Sequence, residues 1–541
     1  MISYIEKNPW ILYLVSIVLL FPALLINLGL MPVTSDEQIR GLVALEMLIN
    51  DDWIVPTMYG EYYLKKPPLY NWMLIGYTSL FGNFNEFTLR LSTVVSTILF
   101  AASIFMVFRK HFGKEIAFVN AMAFITCGRM LFWDTQLALI DITFSWVVFM
   151  NFMAVYHFHR KSNYWALFLV SYLLASLGYL FKGLPAIVFQ CITLVVFFIY
   201  QKEFKKLFSF AHFAGIAVFL MIIGGYYLVY FSRYPGTLES LFSTLFDESS
   251  RRTVIRFGLG QTIVSILKFP VDMIYHFAPW ALMIICCIRK DFFRTIRNEP
   301  FLKFMLIIFL ANIIVYWSSP EVHARYLIMF IPLMFSVFFY FYYKYREENI
   351  FQNRVIDYLL FAIGVIATLG TLAIFFIDET KDLSLIIPKF IFLFLSLGLL
   401  SYLMLRLKRY RLLIFVIIML LIRIGFNWTV IPARYQLDRG IPAKKGAIRM
   451  GQLMKGHSLC ILGGSGVDDF SAFYITRERG EVLPKKYEDL YDINHDIFYI
   501  GDDNWLSNKD YLLYYTYNTH WQERKLKLVK ILHEYPYPQK P

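Results

Sequence analysis

"WILYLVSIVLLFPALLINLGLMPVTSDEQIRG", residues 10–41, decides the fold class. Residues 10–31 carry no charged side chain. That is enough apolar helix to cross a bilayer core, which needs about 20 residues. The run is longer than the apolar region of a signal peptide and has no clear A-x-A cleavage site, so it reads as a retained anchor. Two adjacent carboxylates, Asp36 and Glu37, follow as the chain leaves the membrane. Acids at a helix start favour the unpaired N–H groups there. Acids at a membrane boundary can also do chemistry, and the rest of the chain bears on which reading holds.

The 541 residues are 58% apolar, 19% aromatic and only 17% charged, against about 25% charged in a globular protein. Apolar runs near 10–31, 88–108, 115–131, 138–158, 164–181, 183–200, 209–231, 271–288, 301–317, 326–343, 355–377, 386–405 and 412–431 predict an all-α polytopic membrane protein of about 13 transmembrane helices. The net charge of +13 follows topology rather than a nucleic-acid partner, and none is expected. Alternate connections, "RKHFGK", "HRKSN", "QKEFKK", "IRKDFFRTIRNE", "YKYREEN" and "RLKRYR", hold the cations and are assigned to the cytoplasm. The intervening "FWDTQLALID" has no Lys or Arg. The N-terminus is then cytoplasmic and the C-terminus extracytoplasmic.

"LYNWMLIGYTSLF", 69–81, makes a helix of only about 20 Å and is expected to lie in the outer interface. The membrane domain is thus 1–433, with long outer loops at about 32–87 and 232–270. Residues 434–541 form a small C-terminal α/β domain on the same side, with strand-like "SLCILGG" and "DIFYIGDD" around helix-like "VDDFSAFYITRERG". Its "GGSG" lacks the GK[ST] of a phosphate loop and reads as a turn. Five cysteines with no CxxC pair imply neither a metal site nor a disulfide framework.

Cations on the outer side run against the topology rule. Lys65 and Lys66 stand in "YYLKKPPLYNW", Arg251 and Arg252 in "ESSRRT", Lys182 in "FKGLP" and Arg325 in "SPEVHARY". A solvated loop face explains each of them as well as function does. The functional reading is an anion held at the outer boundary, since Lys supplies a point charge and Arg a fork for phosphate. A membrane-embedded anion reached from outside suggests a lipid phosphate. Asp134 and Asp141 in "FWDTQLALIDITF", seven apart, are expected on one helix face. Asp141 lies close to hydrocarbon, where a carboxylate should face a bundle interior or a wet cavity. His276 in "YHFAPW" reads as an interface residue.

"SDEQIRGLVALEMLINDDWIVPTMYGEYYLKKPPLYNWMLIGYTSLFG" followed by "TLRLSTVV" resembles the first outer loop of GT-C glycosyltransferases. The nearest groups are the bacterial aminoarabinose transferases that modify lipid A and the dolichyl-phosphate-mannose protein mannosyltransferases. "LALID", "FKGLP", "RFGL" and "ARYLIMFIP" match later positions more loosely. The resemblance implies the GT-C fold. It implies transfer, with inversion, of a sugar from undecaprenyl phosphate to lipid A, another glycolipid or glycan, or a protein Ser/Thr on the outer face of the bacterial inner membrane.

By the same resemblance Asp36 sits at the catalytic centre and Asp141 is the second acid; Asp36 is then expected to orient or deprotonate the acceptor hydroxyl, and Glu37 to orient Asp36 or bind the acceptor. Lys66 contacts the donor phosphate, Arg325 and Tyr326 line the cavity, and Lys65, Lys182, Arg251 and Arg252 supply further positive charge. No nucleotide is needed, because the energy resides in the lipid-linked phosphoester. A divalent metal, which some members hold, would lack its usual ligands here: Lys65 replaces the Glu before "KPPL", and no His precedes Phe269-Pro270. A multispan transporter or lipid flippase is the rival class, but it would more often show paired repeats and helices broken at the midplane.

Overall fold

The computed structural model describes every residue except 1, 235, 238, 240–242, 245, 248–253, 349, 487–492, 521–523 and 535–541. Arg251 and Arg252 therefore lie outside the described residues. Nine described helices are long and apolar enough to cross a membrane, and Trp10–Leu25 and Pro185–Tyr200 are shorter apolar helices.

The breaks between helices follow local chemistry. Glu86–Thr126 is one hydrogen-bonded run interrupted at Gly113, whose φ of 82° lies in the left-handed region that glycine enters freely. That break falls within the basic "RKHFGK" turn. Tyr164–Lys182 ends at Gly183, with φ 84°, and Pro185 starts the next helix at its first turn, where a missing N–H costs nothing. "FKGLP" is thus a helix stop followed at once by a helix start, and it holds Lys182 at the connection.

The thirteen-residue helix Leu69–Phe81 buries Tyr70, Leu74 and Ile75 and exposes Leu80 and Phe81. The predicted outer loop 232–270 differs from the structure. Val254–Phe277 is a single helix, followed by a cis Ala278–Pro279 bond and the tight 3-10 turns Trp280–Cys287. The predicted span at 271–288 is therefore a helix end plus a 3-10 segment. The helix extends N-terminally because residues 254–269 are themselves mostly apolar. Asp134 and Asp141 also differ from expectation. Asp134 sits in a 3-10 turn, Asp134–Gln136, and Leu137 and Leu139 are extended, so the helix Ile140–Arg160 begins only afterwards.

The C-terminal segment forms a mixed five-stranded sheet. β1 (Leu459–Leu462) pairs in parallel with β2 (Lys485–Lys486) and β3 (Phe498–Gly501). β3 continues antiparallel into β5 (Lys525–Glu534), which pairs with β4 (Lys509–Asn518). The helix Asp469–Arg479 joins this domain to the helix Asp36–Ile49. Tyr59 Oη donates to Asp469 Oδ1 at 2.7 Å, and Tyr474 Oη donates to Glu86 Oε1 at 2.6 Å and accepts from Val33 N–H.

Candidate active site

Asp36 opens the helix Asp36–Ile49 behind Ser35, whose φ of 56° turns the chain sharply out of the first span's exit. Its carboxylate is 51% exposed and accepts from Arg325 Nη2 at 2.7 Å. Arg325, at the start of Ala324–Phe330, also reaches Ser35 Oγ at 3.4 Å and places Nε 3.5 Å from Asp141 Oδ2. The other oxygen of Asp141 is paired with Lys182. Lys182 Nζ lies 4.1 Å from the centre of the Tyr326 ring and 5.1 Å from that of Phe144. Lys66 is half-buried and close enough to Asp141 to interact with it electrostatically. The Pro67 ring that follows packs toward Gly183.

The structure thus brings together Asp36, Asp141, Lys66, Lys182, Arg325 and Tyr326 from four separate chain regions. Three cations face two carboxylates, leaving one positive charge at a partly buried site. Such a surplus favours an anion, and an arginine fork suits a phosphate.

Other expected site residues are placed differently. Glu37 is 0% exposed, and its carboxylate accepts from Arg90 Nη2 at 2.6 Å, Arg90 Nε at 3.1 Å, Thr34 N–H at 2.8 Å and Ala138 N–H at 2.9 Å. Those bonds leave no lone pair aimed at Asp36 or at a substrate. Glu37 therefore ties the first loop to Arg90 and Ala138 instead of orienting the neighbouring acid. Lys65 is exposed and has no ion pair among the described residues. His276 is half-buried on the helix Val254–Phe277. Among the described residues no three His, Cys, Asp or Glu side chains converge as a metal site would require.

Sequence reasoning missed Arg40. It lies one turn beyond Asp36, is buried, and donates from Nη2 to Tyr63 Oη at 2.5 Å, while Nη1 has no partner among the described residues. The signal was the i, i+4 spacing from Asp36, which puts both on one face. Asp134 is a further buried acid beside the cluster. Burial pushes its carboxyl up to about 6, against the pull of Arg129, whose Nε stands 3.0 Å from Oδ2. On the other side of Asp36–Ile49, Glu46 is also raised by burial, although Thr57 and the N–H groups of Tyr59 and Gly60 bind it.

An apolar cavity of about 460 Å³ runs between Val254–Cys287, Pro300–Trp317 and Ile331–Lys344, lined by Phe269, Met273, Ile284, Phe309, Trp317 and Phe338 among others. Trp317 follows Tyr316, whose ring stacks on Tyr326 with centres 5.8 Å apart. Trp317 is thus the lining residue next in the chain to the ring pair at the polar cluster.

A family model for dolichyl-phosphate-mannose-protein mannosyltransferase matches residues 65–227. The undecaprenyl phosphate-alpha-4-amino-4-deoxy-L-arabinose arabinosyl transferase of Erwinia tasmaniensis is 26% identical over 201 residues, 36% of either chain. That of Shewanella sediminis is 26% identical over 182 residues, 33% of either chain. The matched stretch spans about a third of the length of these curated relatives. Among solved structures, ArnT from Cupriavidus metallidurans bound to undecaprenyl phosphate superposes with a TM-score of 0.69 at 16% identity, covering 98% of this chain and 99% of that one. The oligosaccharyltransferase of Archaeoglobus fulgidus follows at 0.50 and 11%, covering 91% and 68%. The chain has the GT-C fold: an all-α membrane domain with a small C-terminal sheet domain.

Proposed function

We propose that the protein is a glycosyltransferase that moves a sugar from a polyprenyl phosphate, undecaprenyl phosphate in bacteria, to an acceptor at the outer face of the membrane. The observation that carries this reading is the cluster of Lys66, Lys182 and Arg325 around Asp36 and Asp141, with one positive charge in excess and one carboxylate open to solvent. The likeness of its 65–227 stretch to lipid-linked sugar transferases supports the same chemistry. The basic turns support an orientation in which the site and the C-terminal domain are extracytoplasmic and the N-terminus is cytoplasmic.

Lys66 and Arg325 hold the donor phosphate. Lys182 is pinned to Asp141 and adds its charge from behind. Asp36 accepts the proton of the acceptor hydroxyl as the oxygen attacks the anomeric carbon. The bond from that carbon to the phosphate oxygen breaks, and the lipid phosphate leaves with the electron pair. Attack opposite the phosphate inverts the anomeric carbon. The cations are matched to the charge that grows on the departing phosphate, usually the larger contribution to such a reaction. The apolar cavity beside Tyr316 and Trp317 suits the first isoprene units of the donor tail. The acceptor class, whether lipid A, another glycolipid or glycan, or a protein hydroxyl, is set by surfaces around Asp36 and the C-terminal domain.

The test is transfer of label in lipid nanodiscs from a panel of undecaprenyl-phosphate sugars to a membrane extract, with wild type and Asp36→Asn side by side. Transfer by wild type alone supports the reading. No transfer by folded wild type from any donor sinks it.

A further inference from the structure

Arg423 is the outlier of the last span. It stands in "LLIRIGF" on the helix Arg411–Gly425, 1% exposed. Among the described residues its guanidinium makes no hydrogen bond or ion pair, and Nε and Nη1 are both buried without a partner. Its recorded neighbour is the Phe426 ring, 6.0 Å away. An arginine does not shed its proton in a protein. A charged group inside a membrane segment is costly and, where it persists, marks a site.

Arg423 lines a cavity of about 110 Å³ where the end of the first span, the turn before Asp36 and the continuation of the last span meet Phe470 and His520 of the C-terminal domain. The space takes several waters or one tetrahedral anion. Gln136 lines it too, and its Nε2 is likewise buried with no partner. Arg434, exposed, stands at the mouth. Two other charges border the space. Arg90 is neutralised by Glu37 and also donates to the carbonyls of Leu28, Met31 and Pro32. Asp438 accepts from the N–H of Gly440 at 2.6 Å. Setting Asp438 against Arg423 and Arg434 leaves one uncompensated positive charge, and the unpaired buried nitrogens of Arg423 and Gln136 are all donors.

The helix is also irregular here. Residues Phe426–Val430 form a π-helical turn that begins three residues after Arg423, a feature that recurs at functional sites. Asn427 within it donates to Ala23 of the first span, and Asn27 donates back to the Asn427 carbonyl. Both ends of the membrane domain are thus fixed around the cavity. Water would satisfy the donors but not the charge, whereas an oxyanion does both.

We infer that this junction is a second anion site, separate from the Asp36 cluster, that takes the phosphate headgroup of a membrane lipid. None of Asp36, Lys66, Asp141, Lys182 or Arg325 lines it. It lies where the first span ends and the last span runs on toward the C-terminal domain, with Trp133 and Arg434 exposed in its lining. The inference does not depend on the proposed transfer reaction.

The test uses the full-length protein in phosphatidylcholine nanodiscs, titrated with phosphatidic acid in one arm and with inorganic phosphate in the other, reading the unfolding midpoint. Wild type should be stabilised saturably by phosphatidic acid. Arg423→Gln should raise the apparent Kd at least tenfold and Gln136→Leu and Arg434→Gln about threefold, while Lys182→Met lowers the midpoint without ligand but leaves the apparent Kd unchanged. Stabilisation by inorganic phosphate alone, with the same sensitivity to Arg423, would overturn the lipid assignment in favour of the free ion. A curve unmoved by Arg423→Gln, or abolished by Lys182→Met, overturns the site, as does no stabilisation in either arm. Should Arg423→Gln fail to fold, the other two cavity variants decide: unchanged titrations in both overturn the site.

Discussion

Asp36 and Glu37 are adjacent in the chain and opposite in fate. Glu37 is sealed: Arg90 and two backbone N–H groups consume its carboxylate, and Arg90 in turn spends its remaining donors on three carbonyls. Among the described residues Asp36 has one partner, Arg325, and half its surface is open. Ser35, held at φ 56°, makes the turn that starts the helix carrying the two carboxylates. A buried ion pair is tolerable when its hydrogen bonds are complete, and it then fixes geometry more than it adds stability. The closed pair holds the loop still, and the open acid next to it is free to meet a substrate. Neighbouring acids of the same type are thus divided between structure and chemistry by saturation alone.

The largest expected effects break this pair apart. Asp36→Asn should fold with an unfolding midpoint close to wild type and lose turnover by about 10²- to 10⁴-fold, the usual weight of a general base. Glu37→Gln should do the reverse in kind. It leaves the Arg90 charge buried and unmatched, which costs about 3–5 kcal/mol. Its midpoint should fall steeply, and whatever folds should retain turnover per molecule. If Glu37→Gln proves stable and inactive, the division is wrong. Next in size is Arg325→Met, which removes the link between Asp36 and Asp141 and one donor to the phosphate. Loss of one such donor is typically about 10²- to 10³-fold in kcat. Normal kinetics in that variant would remove Arg325 from the site.

Asp134 sharpens the contrast from a third position, since it is buried like Glu37 but less well paired. Its folded-state carboxyl stands near 6, above the ordinary 3.8, because burial outweighs Arg129. A raised folded value means the native state holds its proton more tightly than the unfolded chain does. The stability it lends is complete below about pH 4 and is lost as pH rises through 6. The midpoint of wild type relative to Asp134→Asn should therefore fall between pH 4 and pH 7. For Glu37, with its acceptors filled, wild type should stay ahead of Glu37→Gln at pH 7. A difference for Asp134 that grows with pH would show that Arg129 dominates instead.

Much of this was legible in the chain. Uncharged runs closed by basic turns mark the helices, because charge cannot stay in hydrocarbon without a partner, and "RKHFGK" and "FKGLP" place their breaks well. The cations of "KPPL", "FKGLP" and "HARY" were visible as charges on the side that the topology rule disfavours. What was not legible depends on contacts remote in sequence. Apart from the Thr34 N–H, the partners of Glu37 are 53 and 101 positions away, so its burial cannot be read locally. Asp134 and Asp141 were expected on one helix face by their spacing, but Leu137–Leu139 is extended and Ala138 spends its N–H on Glu37. The helix from Val254 was hidden because its polar interruptions resemble a loop. Arg423 was written plainly in "LLIRIGF", and a hydropathy window averages one charge away among its apolar neighbours.

The smallest expected effect tests whether position or charge makes the site. Lys65 and Lys66 are adjacent and chemically identical, as close to a matched pair as Asp36 and Glu37. Lys66 is half-buried and interacts with Asp141, whereas Lys65 is exposed. An exposed charge in water is screened, and its removal normally changes stability by no more than about 0.5 kcal/mol. Lys65→Ala should leave the midpoint unchanged and kcat/KM within about threefold of wild type, the size of a weak long-range pull on an anionic donor that added salt removes. Lys66→Ala should cost at least about tenfold, since a charge-assisted hydrogen bond contributes about 1.5–3 kcal/mol, and salt should not erase the loss. Equal losses from the two variants, both erased by salt, would mean that the loop acts only as a diffuse positive surface. The separation of open site from closed scaffold would then stop at Asp36.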